Sequence, residues 1–171
     1  MKKYLLLFMA GVFSLFLFSC SDDRNDTYVD GTDTYPVVLD IKNVNFSYTA
    51  ENGHHIMREF QTPLVPQDVV LIYRQAGSTN DGSPVWQQIP RTLYLDGGNE
   101  FDYDFDFSRH DIWIYANGNY DITTTPELLT NQTFRVVLVP ASQGGKSAVD
   151  TSDYNSVIRH YNIDDSKVVN L

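Results

Sequence analysis

The residues able to do chemistry concentrate in a few short stretches. Residues 100–107 read EFDYDFDF, with a carboxylate at every even position and an aromatic ring at every odd one. Asp102, Asp104 and Asp106 are the weak metal-ligand candidates of the chain. On a strand they point the same way with successive Cα atoms about 6.6 to 6.8 Å apart, so the outer two lie about 13 Å apart and cannot meet on one ion. The D-x-D-x-D spacing also matches the opening of an EF-hand loop, but that loop requires Gly at its sixth position and Glu at its twelfth. Phe107 and Trp113 occupy those places. The alternation is therefore read as a strand with Phe101, Tyr103, Phe105 and Phe107 toward a core and the acids toward water, where they discourage edge pairing.

The four histidines form no ligand set. His54 and His55 are adjacent and so point to opposite faces of a strand, and His110 beside Asp111 has the composition of an oriented base but reads as structural. No H-E-x-x-H arrangement occurs, and a single cysteine excludes thiolate zinc sites. The G-x-S-x-G elbow is absent, as are G-x-G-x-x-G and the P-loop. Glycosidase chemistry needs only two placed acids, and 22 acidic residues supply some pair at any distance, so that compatibility is uninformative. No catalytic residue, metal or cofactor is assigned, and the chain is read as a non-enzyme. The ligand-binding candidates are aromatic: Trp86, Trp113 and Tyr115. In DIWIYAN, Ile112 and Ile114 take one face while Trp113 and Tyr115 take the other, a pair able to stack on a sugar near a surface. Core packing is the competing account.

The elements that must position these residues are mostly strands. From Tyr35 onward apolar residues recur with period two, punctuated by Gly, Asn, Asp and Pro. In PVVLDIKNVNFSY, Val37, Leu39 and Ile41 share one face and Val44, Phe46 and Tyr48 follow one residue out of phase, which predicts a bulge near Lys42 and Asn43. A second strand is expected in 54–62 after the Glu51-Asn52-Gly53 turn. VVLIYRQ (69–75) is apolar on both faces, as in a strand covered on both sides. Asp81-Gly82 signals a hairpin into PVWQQIPRTLYL, with Pro90 at an edge or bulge. Asp96-Gly97-Gly98 turns into EFDYDFDF, Asn117-Gly118 ends DIWIYAN, Thr125 caps a helical turn starting at Pro126, and TFRVVLVPA is a further strand. Tyr154, Val157, Ile158 and Tyr161 have helical spacing, with Thr151 or Ser152 as the cap, and this helix is expected over one end of the sheets. The fold class is mainly β: a single antiparallel β-sandwich of about seven strands over 36–171, with one short C-terminal helix.

The N-terminus carries a different message. Lys2 and Lys3 precede an uncharged run from Leu5 to Phe18, about 14 residues and too short to span a bilayer as a helix. Residues 1–19 read as a signal peptide, and Leu17-Phe18-Ser19-Cys20 resembles a bacterial lipobox, which implies lipidation of Cys20. Residues 21–35 hold five aspartates and one arginine and read as a disordered acidic tether. Ser21-Asp22-Asp23 resembles the surface-export signal of Bacteroidota lipoproteins. The expected location is the outer membrane, lipid-anchored at the cell surface. The chain has a net charge of −10, and −12 without the two leader lysines, which disfavours nucleic-acid binding.

The stretch from VLIYRQ through VWQQIPRTLYLDGGNEFDYDFDFSRHDIWIYANG to TNQTFRVVLVPA resembles a group of small Bacteroidota lipoproteins without an established activity. Some of that group carry a dihydrolipoamide-dehydrogenase label, which this chain contradicts because it has neither a dinucleotide fingerprint nor a redox cysteine pair. The resemblance implies no site residues. The leading expectation is a lipid-anchored cell-envelope binding or assembly protein without catalytic activity, partnered by the membrane and by an envelope protein or glycan. A glycan-binding accessory module predicts exposed coplanar rings, an assembly subunit a flat apolar patch, and a surface hydrolase a cleft with converging acids of perturbed pKa.

Overall fold

The computed structural model describes residues 37–66, 68–139 and 148–171. The expected signal peptide, the expected lipidation site Cys20 and the expected acidic tether lie outside the described residues. Among the described residues ten strands form two five-stranded sheets. Sheet A contains β1 (Val37–Val44), β4 (Val69–Ser78), β5 (Pro84–Ile89), β9 (Gln132–Val139) and β10 (Val169–Asn170), in the order β10-β1-β9-β4-β5. Sheet B contains β2 (Ser47–Thr49), β3 (Gly53–Glu59), β6 (Arg91–Tyr94), β7 (Glu100–Phe107) and β8 (Asp111–Gly118), in the order β2-β3-β8-β7-β6. Among the described residues one α-helix, α1 (Tyr154–Tyr161), follows β9. The fold is mainly β with two antiparallel-rich sheets. It departs from the expected seven antiparallel strands in two ways: the short edge strands β2, β6 and β10 raise the count, and β10 pairs parallel to β1, Leu39 opposite Val169. Strands of two to four residues carry too little periodicity to be read from sequence.

Several local expectations hold. The register between β1 and β9 slips between Ile41 and Val44, with Asn43 at φ 54, so the bulge lies where the apolar phase changes. Asp81 closes the β4–β5 hairpin by accepting hydrogen bonds from Ser83 N and the Thr79 hydroxyl. At Gly118 a Cβ would come within 2.7 Å of the Glu100 carbonyl oxygen and 2.6 Å of Ile122, so only glycine lets β8 end against β7.

Other expectations need correction. PVWQQIPRTLYL is not one kinked strand: β5 ends at Ile89 in sheet A and β6 begins at Arg91 in sheet B. Pro90, lacking an N–H, sits where the chain leaves one ladder for the other. Phe101 and Tyr103 are buried, but Phe107 is 47% exposed at the strand end, its ring against Phe105. Thr125 sits at the start of the 3-10 turn Pro126–Leu128 without a side-chain cap bond, its hydroxyl engaged with Ile122 O instead. Asp153, not Thr151 or Ser152, caps α1 by accepting from Asn155 N.

Two apolar clusters organise the molecule. The first joins Leu39, Ile41, Ile72, Ile89, Phe134 and Val136 of sheet A to Ile56, Phe101, Tyr103, Ile112 and Ile114 of sheet B. The second gathers Val38, Leu71, Tyr73, Val137 and Val139, the opposite parity of sheet A, around Tyr154 and Val157 of α1 and around Ile163. Sheet A is thus buried on both faces, as the unbroken apolar run of β4 anticipated. The helix covers a face of sheet A, where an end-capping position was expected, because its stripe of Tyr154, Val157, Ile158 and Tyr161 matches the apolar residues of β4 and β9.

Candidate functional site

Strand alternation decides what sheet B turns away from the core. Ile112, Ile114 and Ala116 are buried, so Asp111, Trp113, Tyr115 and Asn117 project outward. Register then fixes their neighbours. His55 lies opposite Tyr115 and Met57 opposite Trp113 on one side. On the other, Asp104 lies opposite Tyr115, Asp106 opposite Trp113 and Asp102 opposite Asn117.

Three rings form a shelf at the middle of this face. Trp113 and Tyr115 have centroids 6.3 Å apart with planes 17° from parallel, and His55 lies 5.2 Å from Trp113 at 34°. All three are half-buried, held at their bases by neighbours while part of each ring stays exposed. His55 Nδ1 lies 3.0 Å from the Gly53 carbonyl oxygen, which fixes the imidazole. The Tyr115 hydroxyl has its pKa raised, first by burial and then by the Asp106 carboxylate, so the phenol stays protonated and able to donate. Beside the shelf is a polar depression of about 410 Å³ bordered by Arg91, Thr92, Asp102, Asp104 and Asn117. Thr92 Oγ1 donates to Asp102 Oδ1 at 2.5 Å and Phe105 N donates to Asp104 Oδ1 at 2.8 Å, leaving each carboxylate a second oxygen directed by its strand position. Half-exposed, near-parallel rings flanked by acceptors and an amide suit a ligand with an apolar face and a polar rim.

The structure brings Trp113 and Tyr115 together and separates Trp86 from them. Trp86 belongs to β5 of sheet A, 5.8 Å from Tyr154, with the Arg135 guanidinium 4.5 Å over its ring. Arg135 Nε and Nη2 donate to the two oxygens of Asp40 at 2.7 and 3.0 Å, Nη1 donates to the Tyr154 hydroxyl at 2.9 Å, and that hydroxyl donates to Asp165 at 2.8 Å. Asp40 is 1% exposed. A depression of about 520 Å³ opens beside this network. Its polar groups are committed to one another, a fully paired arrangement that fastens α1 to sheet A.

Asp102, Asp104 and Asp106 remain a ladder along β7. Among the described residues no group of three or more His, Cys, Asp or Glu side chains is placed to hold a metal ion. Asp111 takes its hydrogen bond from Ser108 Oγ, so the His110–Asp111 pair is not an assembled base. Asp81, Asp121, Asp153 and Asp164 are held below the ordinary carboxylate range, each mainly by a hydroxyl of a nearby Thr or Ser. Sequence reasoning missed His55 as the third ring. The signal was present in the equal distance of His55 and Tyr115 from the ends of β3 and β8, but only the register reveals it. No helix of the described residues is long and apolar enough to cross a membrane. The chain matches no protein-family model, no curated protein and no solved structure.

Proposed function

We propose that the protein is a lipid-anchored, non-catalytic binding module of the cell envelope, a β-sandwich that displays the outward face of sheet B to a glycan. The observation that carries this reading is the near-parallel, half-exposed pair Trp113 and Tyr115 on adjacent outward positions of one strand. Pyranose rings present a face of C–H bonds and a rim of hydroxyls. The C–H face stacks on aromatic planes, and the hydroxyls reach acceptors such as Asp102 and Asn117 beside them. Sandwich architecture is supported by the first apolar cluster, which draws residues from both sheets.

Two competing readings are less well supported. A hydrolase requires an acid whose pKa is raised toward neutrality, whereas the shifted aspartates Asp81, Asp121, Asp153 and Asp164 all move downward. An assembly subunit requires a concentrated apolar patch, whereas the large exposed apolar side chains Tyr48, Met57, Val69, Val85, Tyr94, Phe107 and Val169 come from seven different strands. Affinity electrophoresis through gels cast with soluble polysaccharides tests the proposal. Retardation by at least one polysaccharide is expected. It should disappear in Trp113→Ala and persist in Phe107→Ala, an exposed aromatic of the opposite strand parity. Retardation that is equal in the two variants refutes the shelf.

A further inference from the structure

The charge on the outward face of sheet B narrows the ligand. Glu59, Asp111, Asp106, Asp104, Asp102 and Glu100 all project from it by strand parity and register, and none of the residues sharing that parity on β2, β3, β6, β7 and β8 is Lys or Arg. The cations on the flanking strands are of the opposite parity: Arg91 on the edge strand β6, which borders the depression, and Arg58 on β3, whose Nη1 donates to Met57 O. Arg109 is directed elsewhere, its Nε donating to Leu64 O. Adjacent strands lie about 4.8 Å apart, so a sugar stacked over β8 places the substituents of its ring edge above β7, where Asp104 and Asp106 stand opposite Tyr115 and Trp113. Uronates, sulfates and phosphates would be repelled from this position at distances within a Debye length of about 8 Å. An ammonium there meets two carboxylates and the π faces of two rings, the combination that selects cations in aromatic sites.

We infer that the ligand of this face is a glycan bearing free, protonated amino groups, with a pyranose face against Trp113 and Tyr115 and its ammonium groups beside Asp104 and Asp106. The inference rests on the glycan-binding reading above and specifies its substrate class. Exposed ion pairs are individually weak, so two of them amount to about a tenfold preference over a neutral glycan of the same shape.

The test is calorimetric titration of the purified full chain with three probes of one linkage geometry: the β-1,4 hexamers of glucosamine, of N-acetylglucosamine and of glucose. The glucosamine hexamer should bind about tenfold more tightly than the other two. That advantage should vanish in Asp104→Asn/Asp106→Asn while the weaker, charge-independent binding remains, and Trp113→Ala should abolish binding of all three. Equal affinities that still depend on Trp113 would overturn the amino-sugar inference and leave glycan binding standing. Absence of binding by any probe would sink both. An oligolysine peptide that binds more tightly than the glucosamine hexamer, indifferent to Trp113→Ala, would show an acidic surface selecting for charge alone and would also overturn the inference. The asparagine variants replace half-exposed or exposed side chains on a strand flank, so their fold can be checked independently by the melting temperature of the unliganded protein.

Discussion

On sheet A the face turned away from the shared core carries Val38, Tyr73, Val137 and Arg135, and α1 lies over it. On sheet B the corresponding face carries His55, Trp113 and Tyr115 with a ladder of acids, and its rings stay half-exposed. Each sheet holds one of the chain's two tryptophans, and the two have opposite situations. Trp86 is covered by a guanidinium that is itself bonded to Asp40 and Tyr154. Trp113 has an imidazole and a phenol beside it, with Met57 and Asp106 opposite on the flanking strands. Aromatic content alone therefore says little about binding. What distinguishes the two faces is that α1 packs over the ring on sheet A, with Tyr154 against Trp86.

The strongest way to break this contrast is to remove the cation that closes sheet A. Arg135→Met strips the buried Asp40 of both guanidinium hydrogen bonds and leaves it only the half-exposed Lys42, whose Nζ lies 3.2 Å away, so a loss of about 3 kcal/mol is expected in urea denaturation. Trp113→Ala on the other sheet should cost less than about 1 kcal/mol, the range for surface positions. Comparable losses at the two sites would end the distinction between a structural face and a binding face.

Alkali probes the same contrast through the tyrosines. Burial pushes Tyr103 up to about 12 and pushes Tyr73 and Tyr154 higher still, all from an ordinary value of 10.0. A raised folded-state pKa contributes stability that is fully present below the unfolded value and is lost as pH rises through the folded one. Melting temperatures should therefore hold steady up to about pH 10 and fall steeply above it. Tyr154→Phe should shallow that fall.

A smaller effect sharpens the comparison by light. With Trp86 replaced by Phe, titration with a bound glycan should change the emission of Trp113. With Trp113 replaced by Phe, the same titration should leave Trp86 unchanged. A response from Trp86 alone would move the ligand to the depression beside α1. A modest change is expected in Tyr73→Phe, which deletes one hydrogen bond to Thr151 O and should cost about 1 kcal/mol while leaving any glycan retardation intact.

Much of the fold was legible in the sequence where one residue's neighbours along the chain decide its place. The phase change at Lys42–Asn43, the two-sided apolar run of β4 and the helical stripe from Tyr154 to Tyr161 are local signals with one physical reading. Trp113 and Tyr115 were legible for the same reason, as outward partners of Ile112 and Ile114. Pairings between distant segments were not. The local cue at Asp40 is Lys42, two residues on, and nothing near it announces that Arg135, 95 positions away, will bond both of its oxygens. Nothing in PVWQQIPRTLYL says that its two halves belong to different sheets, and His55 joins the shelf only through the β3–β8 register.

The position of β8 has a mechanical consequence. It is the third of five strands in its sheet, laced along its length to β3 on one flank and β7 on the other. Rings mounted there stand on the stiffest part of the lattice, far from fraying margins, so the glycan proposed to dock on them would meet a surface with little motion left to freeze. Tension on such a polymer would be shared across both flanking ladders, and the anchorage would outlast the peeling of either rim.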